Sequence, residues 1–302
     1  MVSVSPAGTA AAAPAPPAVS RTRRAGRALL LFALPAVIVL GVFFVVPAIR
    51  LAWLSVSTPE FGIGNYTGLA TDGVVVTVVL RTLGMAAVVT VLCVLCAYPY
   101  AYLMTIVGPR WRAVLTALVL LPFWTSLMAR TFAWVVLLQD TGVVNALLAV
   151  VGLGPTRLLG TTAGVSIAMA QVMLPFMVLP VYAAMRGIDR RLVDAAMGLG
   201  ARPINAFLRV YLPLSLRGVA AGATLVMVLS LGFYVTPSLV GSPQQSMLAQ
   251  LISVQVNQLL NFGAAGALAV TLLVVTLVLV AGVQRLTRTG GAPAALVGGT
   301  AS

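Results

Sequence analysis

Six runs of about 20 apolar residues, each long enough to cross the hydrocarbon core of a bilayer, recur near residues 28 to 48, 75 to 107, 113 to 138, 162 to 185, 216 to 239 and 263 to 283. Read as helices, they predict an all-α polytopic membrane protein with six transmembrane spans. Composition agrees, since 61% of the 302 residues are hydrophobic and only 8% are charged, a balance that excludes a soluble domain of this length. The second run is longer than a bilayer requires and is expected to tilt or to begin outside the hydrocarbon. Three regions follow: a disordered basic arm over 1 to 27, rich in Ala and Pro, a membrane domain over 28 to 284, and a loose tail over 285 to 302, rich in Gly and Ala.

Arginines collect on the cytoplasmic side of inserted helices, and here their distribution is lopsided. Arg21, Arg23, Arg24 and Arg27 precede the first run, Arg110 and Arg112 separate the second from the third, and Arg285 and Arg288 follow the last. Arg186, Arg190, Arg191, Arg202, Arg209 and Arg217 surround the segment between the fourth and fifth. The opposite side holds Arg50, Arg81 and Arg157, and residues 240 to 262 carry no charge. Both termini are therefore expected in the cytoplasm. The net charge of +13 is mostly a topology signal; arginines dispersed among spans do not form the single stripe that a nucleic-acid surface requires. Basic residues before an apolar run also resemble a signal peptide, but the run is too long and no small-residue cleavage site precedes Arg50, which predicts an uncleaved anchor.

What is missing narrows the chemistry. All 18 basic residues are arginine and histidine is absent. A P-loop needs its lysine to reach the terminal phosphates of ATP, so this chain is not expected to be an enzyme of that kind, and no cofactor or metal is expected on it. The two thiols, Cys93 and Cys96, lie in apolar VLCVLCAY, a setting that favours packing over redox work. The five acids, Glu60, Asp72, Asp140, Asp189 and Asp194, all fall in loops or at helix ends. Proton- or sodium-coupled transporters usually keep ionisable groups near mid-membrane, so a secondary transporter is disfavoured, while hydropathy alone leaves a channel open.

The segment over 186 to 215 stands apart from this hydrocarbon, and its centre reads DRRLVDAAMGLGARPINAFLRVYLP from 189 to 213. Asp189 is placed to cap a helix whose Leu192, Ala195, Ala196 and Leu199 recur at i, i+3, i+4 and i+7. Gly200 suits the left-handed position after a helix end, and Pro203 suits the first turn of a second helix. That helix is expected to stop before Pro213, because proline disfavours helical backbone at the preceding Leu212. The segment resembles the cytoplasmic loop of bacterial ABC importer permeases, which reads EAA, three residues, Gly, nine residues, Ile-x-Leu-Pro. Asp194, Ala195 and Ala196 stand for EAA, Gly200 follows at the family spacing, and Val210, Tyr211, Leu212 and Pro213 close the pattern. Asp194 for Glu and Val210 for Ile are conservative departures. The resemblance implies a type I ABC importer permease fold in which Leu192, Asp194, Ala195, Ala196, Leu199, Gly200 and Pro213 couple the chain to an ATPase.

A second likeness covers residues 120 to 145, 174 to 189 and 233 to 241, the last reading FYVTPSLVG. These stretches resemble the spermidine/putrescine permease group, which implies a polyamine solute; importers of ferric iron, phosphonate or opine share the vocabulary and remain alternatives. The resemblance further implies an ABC ATPase dimer carrying ATP and magnesium, a second permease subunit, an external solute-binding protein and an inner-membrane location. Candidate pathway residues are Gln171, Trp124, Phe233 and Tyr234. Gln171 either faces solute or makes an interhelical hydrogen bond, and the aromatic rings either meet a cation through their π faces or anchor helices at the interface. Prolines 99, 122, 175, 180 and 237 fall inside the runs and suggest bent helices around a cavity. Arg130 lies about 27 Å from Arg112 by helical rise, near the outer interface. There it either snorkels to headgroups, pairs with Asp140, or serves the pathway.

Overall fold

The computed structural model describes residues 34 to 289 except Pro59, Leu153 and Pro155, and the described residues are helical without a strand. The expected N-terminal arm and the end of the tail, beyond Thr289, lie outside them. By its contacts the chain divides into two units, Met1–Arg50 and Leu51–Ser302. The helices are α1 (Leu34–Ser57), α2 (Gly64–Thr71), α3 (Gly73–Ile106), α4 (Pro109–Trp124, its last turn 3₁₀), α5 (Leu127–Leu137), α6 (Val143–Val150), α7 (Thr162–Arg186), α8 (Arg191–Gly198), α9 (Pro203–Leu231), α10 (Val235–Val240), α11 (Leu248–Asn257) and α12 (Phe262–Thr289).

The second unit is built on α3, α7 and α9. Val89, Cys93, Ala97 and Ala101 form a fully buried line along α3 at spacings of about one turn, facing Met169, Met177, Val178 and Val181 of α7. Small side chains on that line let the helices approach closely, and between membrane helices such packing replaces the hydrophobic drive available in water. Helix α9 packs tightly on α7 at Gly218 and Gly222, a Gly-x-x-x-Gly pair. A Cβ on Gly218 would lie 2.4 Å from the Ala184 Cβ and 2.8 Å from the Pro180 carbonyl oxygen, and one on Gly222 would lie 2.7 Å from the Met177 sulfur. Cys93 packs with its Sγ 3.5 Å from the Ala170 carbonyl, and neither cysteine is in a disulfide.

Helix ends follow local rules. Asp72 caps α3 by accepting from the Val74 amide at 2.8 Å, and Thr161 caps α7 by accepting from Gly164 at 3.2 Å. At the other end of α3, Arg112 donates from Nε to the Met104 carbonyl at 3.1 Å and from Nη2 to that of Val107 at 3.2 Å. A cation there satisfies carbonyls that have no intrahelical partner and meets the negative end of the helix dipole. This arginine, read from sequence as topology alone, is also a cap.

Three expectations need correction. The third run is not one continuous helix: α4 and α5 meet at 101° across Thr125 and Ser126, just past Pro122, one of the prolines expected to bend a span. Among the described residues, five helices are long and apolar enough to cross a membrane, and this bent pair is the sixth candidate. The fifth run was placed too late, because helix α9 already starts at Pro203 and ends at Leu231, leaving Phe233 in a turn before α10. The second loop helix does not stop before Pro213, since Leu212 keeps helical φ −59° and ψ −50°. A π-helical turn over Phe207–Tyr211, with the Leu212 amide bonded to the Phe207 carbonyl five residues back, precedes the proline and lets the helix continue through it. Of the interior prolines, Pro99, Pro175 and Pro180 sit within unbroken α3 and α7; only Pro122 lies at the sharp break.

Candidate functional site

The capped loop is formed as a helical hairpin end. Helix α8 begins one residue later than the expected cap at Asp189 implies: Arg190 stands at its N-cap without a side-chain bond, and the Asp189 carboxylate, one residue ahead, accepts from the Arg191 amide at 3.0 Å. Gly200 has φ +89°, the left-handed conformation that favours glycine. The Gly200 amide bonds to the Met197 carbonyl at 2.9 Å and the Ala201 amide to that of Ala196 at 3.1 Å. This pair of bonds is a Schellman motif, which satisfies the last carbonyls of α8 and reverses the chain. Pro203 then occupies the first turn of α9, where its missing N–H costs nothing.

No residue of α8 is buried. Leu192 is 50% exposed and Leu199 91% exposed, with Asp194, Ala195 and Gly200 also exposed, Ala196 half-buried and Pro213 exposed. Two further apolar side chains, Ile204 and Leu208 on the first turns of α9, are exposed as well. Their four-residue spacing puts them on one helix face, a signal present in the sequence. The loop therefore presents bare apolar side chains, of which Leu192 and Leu199 lie outside the candidate membrane spans, where lipid contact does not account for them.

The break between α4 and α5 opens a cavity of about 410 Å³. Pro122, Phe123 and Thr125 of the break, Val172, Met173 and Phe176 of α7, Leu229 of α9 and Phe233 of the following turn are among its walls. The rings of Phe123 and Phe176 meet edge to face with centroids 5.3 Å apart. Arg130 is the one charged residue in this lining. Its Nη2 donates to the carbonyls of Pro122 and, at 3.0 Å, Thr125, and its Nε to the Thr125 hydroxyl at 3.3 Å. The bend frees backbone carbonyls, and the guanidinium fork collects them. Asp140, weighed as its partner, lines a separate cavity with Arg157.

The pathway candidates separate. Phe233 lines the cavity. Gln171 lies one residue before the wall residue Val172 and accepts from the Trp134 indole N–H at 3.2 Å, so its amide makes the interhelical bond. Trp124 is 79% exposed between two wall residues without being one. Tyr234 is turned toward α11, where its hydroxyl accepts from Ser253 at 3.4 Å. Arg130, Phe123 and Phe176 are wall residues that sequence reasoning did not assign to the pathway. Only Arg130 carried a signal, as a charge inside an apolar run.

Comparison with known proteins places this architecture. Residues 97–286 match the family described as binding-protein-dependent transport system inner membrane component. The chain is 35% identical over 222 residues to the spermidine/putrescine transport system permease protein PotB of Haemophilus influenzae, covering 72% of this chain and 77% of that one. The PotB of Escherichia coli is 32% identical over 73% of this chain and 81% of its own length. Among solved structures, a bacterial alginate ABC transporter in complex with a pentasaccharide-bound periplasmic protein contains a similar chain, with a TM-score of 0.69 and 22% identity over 88% of this chain and 96% of that one. The matched family region contains the α7, α8 and α9 framework, the exposed hairpin and the cavity, and the chain belongs to the inner membrane component family of binding-protein-dependent transport systems.

Proposed function

We propose that this permease imports a polyamine, spermidine or putrescine, in an ATP-driven complex whose motor docks on the hairpin around Gly200. Its identity to two spermidine/putrescine permeases over most of both chains supports the solute. In the cavity, the faces of Phe123, Phe176 and Phe233 offer a partly desolvated ammonium group cation–π contact. Leu192, Ala195 and Leu199, exposed on one side of α8, supply the apolar face that a helix-in-groove contact needs. ATP and magnesium belong to a partner ATPase dimer in this reading. A second permease completes the pathway and an external binding protein delivers the solute. The test is uptake of labelled spermidine and putrescine in a strain lacking only this gene. Loss of uptake, restored by the gene and competed by unlabelled polyamine, is the expected result, and undiminished uptake rejects the solute.

One observation favours a second reading, an anionic solute such as a phosphonate or an opine. The cavity lining has a single charge and it is positive, from Arg130, so this chain gives a cation no carboxylate to pair with there. In the same deletion strain, retained polyamine uptake with loss of phosphonate or opine uptake selects that reading.

A further inference from the structure

The route from the hairpin into the membrane passes through a stretch of backbone that is built to bend. The π turn over Phe207–Tyr211 is followed by Pro213, which has no N–H to return to the Arg209 carbonyl, so two adjacent irregularities interrupt the α-helical ladder. Left to itself, such a stretch would absorb any displacement of α8 by kinking.

Instead it is clamped from one side. Tyr98 and Tyr102 lie one turn apart on the same face of α3. The Tyr102 ring meets Phe207 edge to face at 5.6 Å and Tyr211 at 5.5 Å, and those two stack on each other at 5.5 Å and 19°. Tyr98 meets Phe207 at 6.4 Å, and its hydroxyl pairs with that of Ser215 at 3.0 Å. The contacts thus grip α9 before the proline, through Phe207 and Tyr211, and after it, through Ser215. At the start of the loop, Arg190 donates from Nη2 to the Thr105 carbonyl in the last turn of α3 at 2.5 Å. Both ends of the hairpin are therefore tied to one helix.

We propose that this aromatic joint makes α3 the lever of the permease: Tyr98, Tyr102, Phe207 and Tyr211 act as positioning residues that pass movement of the hairpin into α3. The proposal rests on the docking reading of the hairpin. Tyr102 is 36% exposed, so its ring can be removed without opening the buried core.

The experiment uses the assembled transporter in lipid, with Cys93 and Cys96 replaced by Ser and a reporter Val74→Cys at the exposed far end of α3. Its maleimide labelling rate is compared without nucleotide and with ATP plus vanadate, beside disulfide cross-linking of Ala195→Cys to a cysteine in the motor. We expect a nucleotide-dependent change in rate in the parent, a ratio close to one in Tyr102→Leu with the cross-link intact, and recovery in Tyr102→Phe, which keeps the ring contacts. Loss of two edge-to-face contacts corresponds to roughly a tenfold loss of coupling. A parent-like ratio in Tyr102→Leu overturns the joint. Loss of the cross-link in that variant also overturns it, because the rings would then only hold the loop folded. Absence of the cross-link from the parent overturns the docking reading instead.

Discussion

Gly200 shows how much of this protein turns on one backbone angle. Its φ of +89° lies where side chains are strained, yet a Cβ built there meets nothing within 4 Å. The cost of substitution is therefore conformational and not steric, on the order of 1–3 kcal/mol for a non-glycine residue. Gly200→Val, β-branched and least suited to that region, should insert at normal abundance but lose solute-stimulated ATPase activity in the assembled complex. Gly200→Asn, which tolerates the left-handed position, should retain much of it. Equal activity of the Val variant and the parent, at equal abundance, would show that the hairpin geometry is not used in coupling. Asp194→Ala should be milder, since an exposed polar contact contributes only about 0.5–1.5 kcal/mol.

At the scale of elements, the contact between α7 and α9 makes a steric demand at two glycines. Gly218→Ala would put a methyl 2.4 Å from the Ala184 Cβ and within 2.8 Å of the Pro180 carbonyl, so helix backbones must separate. Overpacking of this kind costs about 1–3 kcal/mol, and a thermal melt of the purified permease should show a clear loss of stability, with Gly282→Ala, where nothing lies within 4 Å, as the unaffected control. Equal melting temperatures would mean that the two helices are not so closely packed. The same elements mark what sequence could and could not reveal. The turn at Gly200 was legible because it depends on residues within one turn of each other, whereas the start of α8 fell one residue from the expected cap, at Arg190 instead of Asp189. The Gly218 and Gly222 spacing was equally visible in the sequence, but hydropathy counts glycine as near neutral and does not register it. The break at Thr125 was marked only by Pro122, one of five prolines of which the others gave no such break, and the passage of α9 through Pro213 was not legible. Hydropathy cannot distinguish a bent pair from a straight span, and a proline rule applied alone ignores that a π turn before it can absorb the lost bond. The cavity depended on both, bringing Phe123, Phe176, Leu229 and Phe233 together from elements far apart in sequence.

For the whole molecule, sidedness decides whether the hairpin can meet a cytoplasmic motor at all. The arginine asymmetry predicts that the loop between α7 and α9 faces the cytoplasm and that the loop between α10 and α11 faces outward. Gln244 lies on the outer of these loops and Asn205 in the first turn of α9, where the inner loop ends, and both are exposed, so a cysteine at either position is reachable from its own side and burial cannot explain a missing signal. The buried Cys93 and exposed Cys96 are first replaced by Ser, since Cys96 would otherwise contribute background. In intact cells, an impermeant maleimide should label Gln244→Cys and leave Asn205→Cys unlabelled until the membrane is permeabilised. Arginines are what fix this orientation, because each positive charge resists translocation while the span beside it inserts, and the six between Arg186 and Arg217 outnumber those of any outer loop. If Asn205→Cys were labelled in intact cells, the hairpin would lie outside, away from any nucleotide, and neither the docking surface nor the aromatic joint behind it could take part in ATP-driven transport.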